Sequence, residues 1–251
     1  MATVPAAAQA LRILRYLAGQ AEPVPAAAIA RHLGLPRSTT YHLLDTLRGE
    51  GFVTHLDDDR RYGLGVSAFD LASGYSRQAP LARLARVPLA ALADRVRHNA
   101  HLAVLHGRDV LYVLEERVPG RPPLVTEVGV RLPAHLTASG RALLALLPPE
   151  QVRALFPDRG AFVQRTEVGP TSLPALRALL RETRAAGVAA EDGEVTPGFA
   201  SLGVAIPDHT GHPVAAVAVT FPGADVPTDE RERIAEEVRR TARQLGARIH
   251  A

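Results

Sequence analysis

Through the first fifty residues, apolar positions recur at helical spacing between short polar or Gly/Pro breaks. In PAAAQALRILRYLAG, Ala7, Ala10, Leu11, Leu14 and Leu17 fall on one face and Gly19 ends the segment. VPAAAIARHLG predicts a short second helix, with Pro25 tolerated in its first turn and Gly34 as its stop. LPRSTTYHLLDTLRGEG sets Thr40, Leu43, Leu44 and Leu47 at i, i+3, i+4 and i+7, a third helix with one inward stripe. The period then changes: FVTHLDDDRRYGLG predicts two short strands around a polar tip at residues 57–60. Three helices followed by a hairpin predict a winged helix-turn-helix.

From Val66 to about Val96 the pattern stays helical, broken near residues 78–80, with Leu81, Leu84, Leu89, Leu92 and Val96 as the stripe to be buried. It predicts a connecting helix that leads into a second domain where the periods alternate. HLAVLHGRDVLYVLEER predicts two strands around a turn at residues 106–109, and PLVTEVG a third. Helices are predicted at 138–147, 149–156 and 172–186. Strands follow in GVAAEDGE, SLGVAIPDH and PVAAVAVTFP, the last two joined by a turn at residues 210–213. A long helix, TDERERIAEEVRRTARQLGARI, closes the chain, with Thr228 as its cap and acids ahead of arginines, as the helix dipole favours. Helices set among hairpin-connected strands predict an α+β second domain with a mainly antiparallel sheet. The expected division is 1–66 for the winged helix, 67–80 for a linker helix and 81–251 for the second domain.

Composition narrows the class. With 47% hydrophobic and 22% charged residues, the chain is globular, and no apolar run approaches the ~18 residues of a membrane span. The first residues read as an amphipathic helix interrupted by Arg12 and Arg15, not as a signal peptide, so a cytoplasmic location is expected. There is no cysteine, which excludes disulfides and thiolate metal sites. The histidines form no H-x3-H or H-E-x-x-H arrangement, so no metal and no cofactor is expected, and His98, His101, His106, His209 and His212 read as surface or core histidines. Every basic residue is an arginine. The first hundred residues carry +4 and the remainder −1, an asymmetry that permits a nucleic-acid-binding front end.

If the third helix turns Thr40 and its leucines inward, its other face presents Arg37, Ser38, Tyr41 and His42, with Thr39 at the border. Ser38 and Thr39 lie in the first turn, where hydroxyls and free N–H groups hold phosphate. Arg37 can reach a guanine edge or a phosphate, and Tyr41 and His42 suit the major groove. Arg60 and Arg61 suit backbone or minor-groove contacts. The plain alternative is a three-helix surface with scattered polar residues; Asp45 and the three aspartates at 57–59 oppose phosphates unless they point away.

These segments together resemble a known family. ALRILRYLAG, AAAIARHLGLPRSTTYHLLDTLRGEGFV and DRRYGLG are similar to the N-terminal domain of the IclR family of bacterial transcriptional regulators. HLAVLHGRDVLYVLE, GVRLPAHLTASGRALLALLPPE and AGVAAEDGEVTPGFASLGVAIPDHTGHPVAAVAV resemble its effector-binding domain. The resemblance implies a winged helix on operator DNA, a linker helix used in dimerisation, and a GAF-like domain that binds a small organic acid. It also implies a homodimer or a dimer of dimers acting as repressor or activator.

RLPAHLTASGRALLALL sets a His, a Thr and a Ser ahead of an apolar helix, and two chemistries compete for it. A Ser/His hydrolase needs glycines flanking the serine as G-x-S-x-G. Here Thr137 stands two residues before Ser139 and Gly140 directly follows it, and no acid is placed to orient His135. A helix start at Thr137 or Ser139 would receive a carboxylate at its free N–H groups, or be an N-cap and nothing more. By resemblance the ligand contacts are Leu132, Ala138 and Ser139, then Glu191, Ser201, Ala218 and Thr220. Ser201 stands where many members carry Cys, and Ala218 where some carry Ser. EDGE, around Glu191, also reads as a solvated turn. The expected function is a ligand-responsive transcription factor, with a hydrolase or a protein-binding sensor as its rivals.

Overall fold

The computed structural model describes residues 4–20, 22–56, 60–71, 80–120 and 124–249. The aspartates at 57–59 and most of the expected linker, 72–79, lie outside them; residues 66–71 are helical. The chain divides into two compact units, residues 1–79 and 80–251.

In the first unit, α1 (Pro5–Ala18), α2 (Ala26–Leu33) and α3 (Arg37–Gly49) precede β2 (Val53–Leu56) and β3 (Arg61–Leu64). A two-residue strand, β1 (Val24–Pro25), completes a sheet in the order β1-β3-β2. Pro25 therefore ends a strand and holds the N-cap position of α2, not its first turn. The inward face of α1 is shifted from the expected one: Leu17 is buried and Ala10 and Leu14 pack against the core as expected, but Ile13 is also buried, whereas Ala7 and Leu11 are exposed. Ile13, Ile29, Leu44, Leu47 and Tyr62 form this unit's core. Gly34 adopts a left-handed conformation (φ 65°) as the α2 cap, which turns the chain into α3.

The second unit begins with α4 (Pro80–Val96) and is built on six antiparallel strands: β4 (Asn99–His106), β5 (Asp109–Glu116), β6 (Arg131–Pro133), β7 (Ala189–Asp192), β8 (Phe199–Pro207) and β9 (Pro213–Pro222). Their order is β6-β5-β4-β9-β8-β7. Between β6 and β7 come α5 (Ala138–Leu146), α6 (Pro149–Leu155), a 3-10 turn (Arg159–Ala161) and α7 (Leu173–Ala186); α8 (Thr228–Ile249) closes the chain. The α+β fold with a curled antiparallel sheet matches the expected class.

Both sheet faces are covered. Leu102, Leu202, Val217 and Val219 pack with Leu89 and Leu92 of α4 and Val238 and Leu245 of α8. Ala103, Val110 and Ala216 pack on the other side with Leu143 and Leu144 of α5 and Leu176 of α7. This double coverage explains the nearly unbroken apolar run of β9, since a strand buried on both faces needs no alternation.

Several elements differ from expectation. The described part of PLVTEVG, residues 124–129, is not a strand: the chain turns at Gly129 (φ 90°), and the sheet gains its edge at Arg131–Pro133 instead. Leu84 is exposed, and Ala85 takes its inward place on α4. Thr228 is the first helical residue of α8 rather than its cap.

Candidate functional site

Period-two alternation decides which strand residues face α5. On that face β4 presents His101 and Ala103, β7 presents Glu191, β8 presents Ser201 and Gly203, and β9 presents Ala218 and Thr220. Cross-strand pairing brings Glu191 beside Ser201, Ser201 beside Thr220, and Ala218 beside both His101 and Gly203. On β5, Tyr112 reaches the same face because the register shifts between Leu102 and Ala103. The irregularity leaves Tyr112 opposite Ala103 rather than Val104.

Helix α5 begins directly above this row. The Thr137 hydroxyl caps it by accepting from the Gly140 N–H (3.0 Å). Two glycines allow the close approach. A Cβ on Gly203 would stand 2.8–2.9 Å from backbone atoms of Ala138 and Ser139, and one on Gly140 would fall on the Ala134 carbonyl.

Between sheet and helix lies a cavity of about 20 Å³, lined by Thr137, Ala138 and Ser139, by His101, Tyr112 and Thr126, by Glu191, Val195, Thr196 and Phe199, and by Ser201, Ala218 and Thr220. In this form it has room for about one water. Six of the seven residues expected to hold a ligand meet here: Ala138, Ser139, Glu191, Ser201, Ala218 and Thr220. Leu132 does not. It pairs with Val110 on β6 and belongs to the core beneath α5.

The polar groups of the cavity form a partial network. The Ser201 hydroxyl donates to Glu191 Oε1 (2.6 Å), and Ser201 Oγ shares a hydrogen bond with Thr220 Oγ1 (2.9 Å). The Glu194 N–H donates to Glu191 Oε2 (3.3 Å). Burial, reinforced by the neighbouring Glu194 carboxylate, pushes Glu191 up to about 7 despite the Ser201 hydrogen bond. Tyr112 hydrogen-bonds Ser139, and burial raises its phenol. His101 is enclosed and held neutral, its pKa lowered to about 3 by burial and, secondarily, by the Arg117 charge. Neither ring nitrogen of His101, nor the Thr126 hydroxyl, has a hydrogen-bond partner among the described residues.

Behind the cavity stands Arg141, 2% exposed. Its guanidinium donates to the carbonyls of His135 (2.9 Å) and Ala190 (2.7 Å) and to Glu194 Oε1 (2.6 Å), tying α5 to β7 and to the loop after it. That loop turns through Gly193 (φ 76°) and Gly198 (φ 80°) and supplies Val195 and Thr196 to the wall.

His135 does not line the cavity. Its Nε2 meets the Val163 carbonyl (2.9 Å), its ring packs edge-on against Phe156 and Phe162, and burial lowers its pKa. Its role is to fix the loop ahead of α5. No motif or spacing in the sequence singled out His101, Tyr112 or Thr126. The one available signal was a histidine at an apolar position of a strand, which is also what a core histidine looks like.

In the first unit, Thr40, Leu44 and Leu47 of α3 are buried. Arg37, Ser38, Tyr41 and His42 are exposed on one side, with Thr39 half-buried beside them. Arg60 (φ 50°) and Arg61 are exposed at the start of β3, and Arg61 donates to the Pro23 carbonyl (3.0 Å).

Comparison with known proteins decides the family. The profile of the IclR helix-turn-helix domain matches residues 6–57, and that of the bacterial transcriptional regulator IclR C-terminal domain matches residues 73–247. The chain belongs to the IclR family of bacterial transcriptional regulators.

It is 37% identical over 212 residues to the glycerol operon regulatory protein of Streptomyces coelicolor, covering 84% of this chain and 82% of that one. It is 29% identical to the transcriptional repressor IclR of Escherichia coli, over 92% of this chain and 86% of the relative. Among solved structures, an IclR-type chain from Silicibacter sp. TM1040 superposes with TM-score 0.86 at 26% identity, covering 98% and 97% of the two chains. An IclR homolog from Microbacterium hydrocarbonoxydans, solved in complex with 4-hydroxybenzoate, gives 0.78 at 25% identity over 96% and 98%. The chain is thus a DNA-binding transcriptional regulator of the IclR type with an effector-binding C-terminal domain. No helix among the described residues is long and apolar enough to cross a membrane.

Proposed function

We propose that this IclR-type regulator binds a two-half-site operator through α3 and that a small molecule in the cavity beneath Ser139 sets its affinity for DNA. One observation carries the reading: buried polar atoms of His101 and Thr126 face a cavity at the start of α5, unpaired, in a domain matched to an effector-binding family. An unpaired buried polar atom costs ~1–3 kcal/mol, which a ligand that completes it recovers on binding.

Residues 1–66 act as the DNA-binding part, 67–80 as the linker helix and 81–251 as the sensor, in a homodimer or a dimer of dimers in the cytoplasm. Arg37, Ser38, Thr39, Tyr41 and His42 meet the major groove, and Arg60 and Arg61 the backbone or minor groove. Ala138, Ser139, Glu191, Ser201, Ala218 and Thr220 contact the effector, whose expected class from the sequence is a small organic acid. Seating it changes the spacing of two recognition helices on half-sites about one helical turn, or a multiple of it, apart. A coupling of ~1–3 kcal/mol changes operator affinity roughly 5- to 150-fold.

Footprinting on DNA upstream of the chain's own gene and its neighbours tests this. A protected inverted repeat, weakened by Arg37→Ala, is expected. Absence of any protected site overturns the reading. The hydrolase alternative predicts ester turnover lost in Ser139→Ala; the position of His135 away from the cavity argues against it.

A further inference from the structure

The chemistry of the cavity wall narrows the effector class beyond the sensing role on which this inference rests. Of the described residues that line it, none is an arginine, and the chain contains no lysine. Arg141, which stands behind the wall, is already committed to two carbonyls and Glu194. The one ionisable acid in the lining is Glu191, whose two oxygens already accept from Ser201 and from the Glu194 N–H. A second carboxylate would share a dry space with this one and meet only the partial charge of a helix start, roughly half an elementary charge.

The unpaired atoms point the same way. A neutral imidazole presents one N–H donor and one acceptor nitrogen, and both nitrogens of His101 stand enclosed and open. The Thr126 hydroxyl, also open, can donate and accept. A carboxylate group only accepts, so it cannot serve the acceptor nitrogen of His101, which only a hydroxyl of the same molecule could reach. An alcohol does both. Several alcohols on one short carbon chain offer both functions to His101, Thr126, Ser139 and Thr220, in a cavity that has to widen beyond its one-water volume to take them. Ala218 and Val195 are then left to cover the C–H faces.

We propose that the effector is a small, neutral, multiply hydroxylated molecule, a short polyol, rather than a carboxylate, and that His101 is its central hydrogen-bonding partner.

Matched pairs separate the two classes: glycerol against glycerate, erythritol against erythronate, ribitol against ribonate. Binding to the full chain is read by saturation-transfer NMR at millimolar concentration, where general stabilisation by polyols is not what is observed. The expected result is that at least one alcohol binds saturably and about tenfold or more tightly than its acid. His101→Phe should abolish that binding, and Ser139→Ala should weaken it in a chain whose thermal unfolding is unchanged. Near pH 8, where Glu191 is ionised, Glu191→Gln removes the wall charge while keeping the shape, so the gap between alcohol and acid should narrow. An acid that binds the wild-type chain as tightly as its alcohol overturns the proposal, as does alcohol binding that survives His101→Phe in a folded variant. If no member of any pair binds, the polyol class fails. Operator footprinting without ligand then decides separately whether the regulatory reading stands.

Discussion

Replacing Arg141 by methionine removes a charge from the most enclosed polar position beside the cavity while filling much of the same space. In the folded chain the guanidinium is 2% exposed and donates to two backbone carbonyls and to Glu194, whose own side chain is 12% exposed. Arg141→Met leaves the His135 and Ala190 carbonyls without these donors and Glu194 without its counter-charge. Removing one member of a buried pair costs ~3–5 kcal/mol, most of it the penalty of the uncompensated partner and not the worth of the pair. The loss should sit in that range, because individual hydrogen-bond values of ~1.5–3 kcal/mol to a charged group do not simply add. Neutralising Glu194 as well should recover part of the loss, so Arg141→Met/Glu194→Gln should be more stable than the two single changes added together, by at least ~1 kcal/mol. Urea unfolding followed by circular dichroism measures all four chains, fitted as two transitions because the chain has two compact units. A second readout is independent of folding: Arg141 holds the Glu191 carboxyl down, so its removal should raise the Glu191 pKa further. A loss below ~1 kcal/mol for Arg141→Met, or simple additivity with Glu194→Gln, would refute the picture of a dry, fully engaged guanidinium.

Four further outcomes are expected. Glu191 titrates near 7 in the folded chain against an ordinary 4.5; the fold thus disfavours its charged form, and stability is lost as pH rises between those values. Glu191→Gln should therefore gain up to roughly 3 kcal/mol over wild type near pH 8 and little near pH 5, read from thermal unfolding at the two pH values. Gly140→Ala should lower the unfolding midpoint although helix propensity alone favours Ala by ~0.5–1 kcal/mol, because the added methyl meets the Ala134 carbonyl; overpacking of this kind costs ~1–3 kcal/mol. Arg37→Ala should weaken specific operator binding by ~1–3 kcal/mol in a titration at fixed salt. Arg61→Ala should weaken it less selectively, with a small loss of stability, since that side chain also bonds the Pro23 carbonyl.

Elements with a strong period were legible. The inward residues Thr40, Leu44 and Leu47 of α3 follow from i, i+4, i+7 spacing, and α8 follows from one long amphipathic run. Misreadings arose where two registers were equally apolar. On α1, Leu11 and Ile13 flank the line of Ala10, Leu14 and Leu17 on either side, and only packing in the three-helix core puts Ile13 inside and Leu11 outside. PLVTEVG has strand composition, yet a strand needs a partner edge, and β5 receives Arg131–Pro133 there instead.

The sequence by itself determined the two-unit order, the polar outer face of α3 and a helix start at Thr137 or Ser139, because each is set by local period or local capping; the bond from the Gly140 N–H to the Thr137 hydroxyl decides for Thr137. It also carried, through the family resemblance, the positions of Ser139, Glu191, Ser201 and Thr220. Only the tertiary structure decided that these four meet in one cavity, since Glu191, Ser201 and Thr220 become neighbours through the register of three successive antiparallel strands and Ser139 reaches them from α5 packed over that sheet. It also decided that Leu132 packs into the core and that an irregularity in one strand pair turns Tyr112 inward. The same holds for His101: a histidine in an apolar strand is an ordinary core residue until the neighbouring strands and α5 leave both its nitrogens unpaired. Satisfaction of a buried polar group is a property of everything around it, and no local pattern records it.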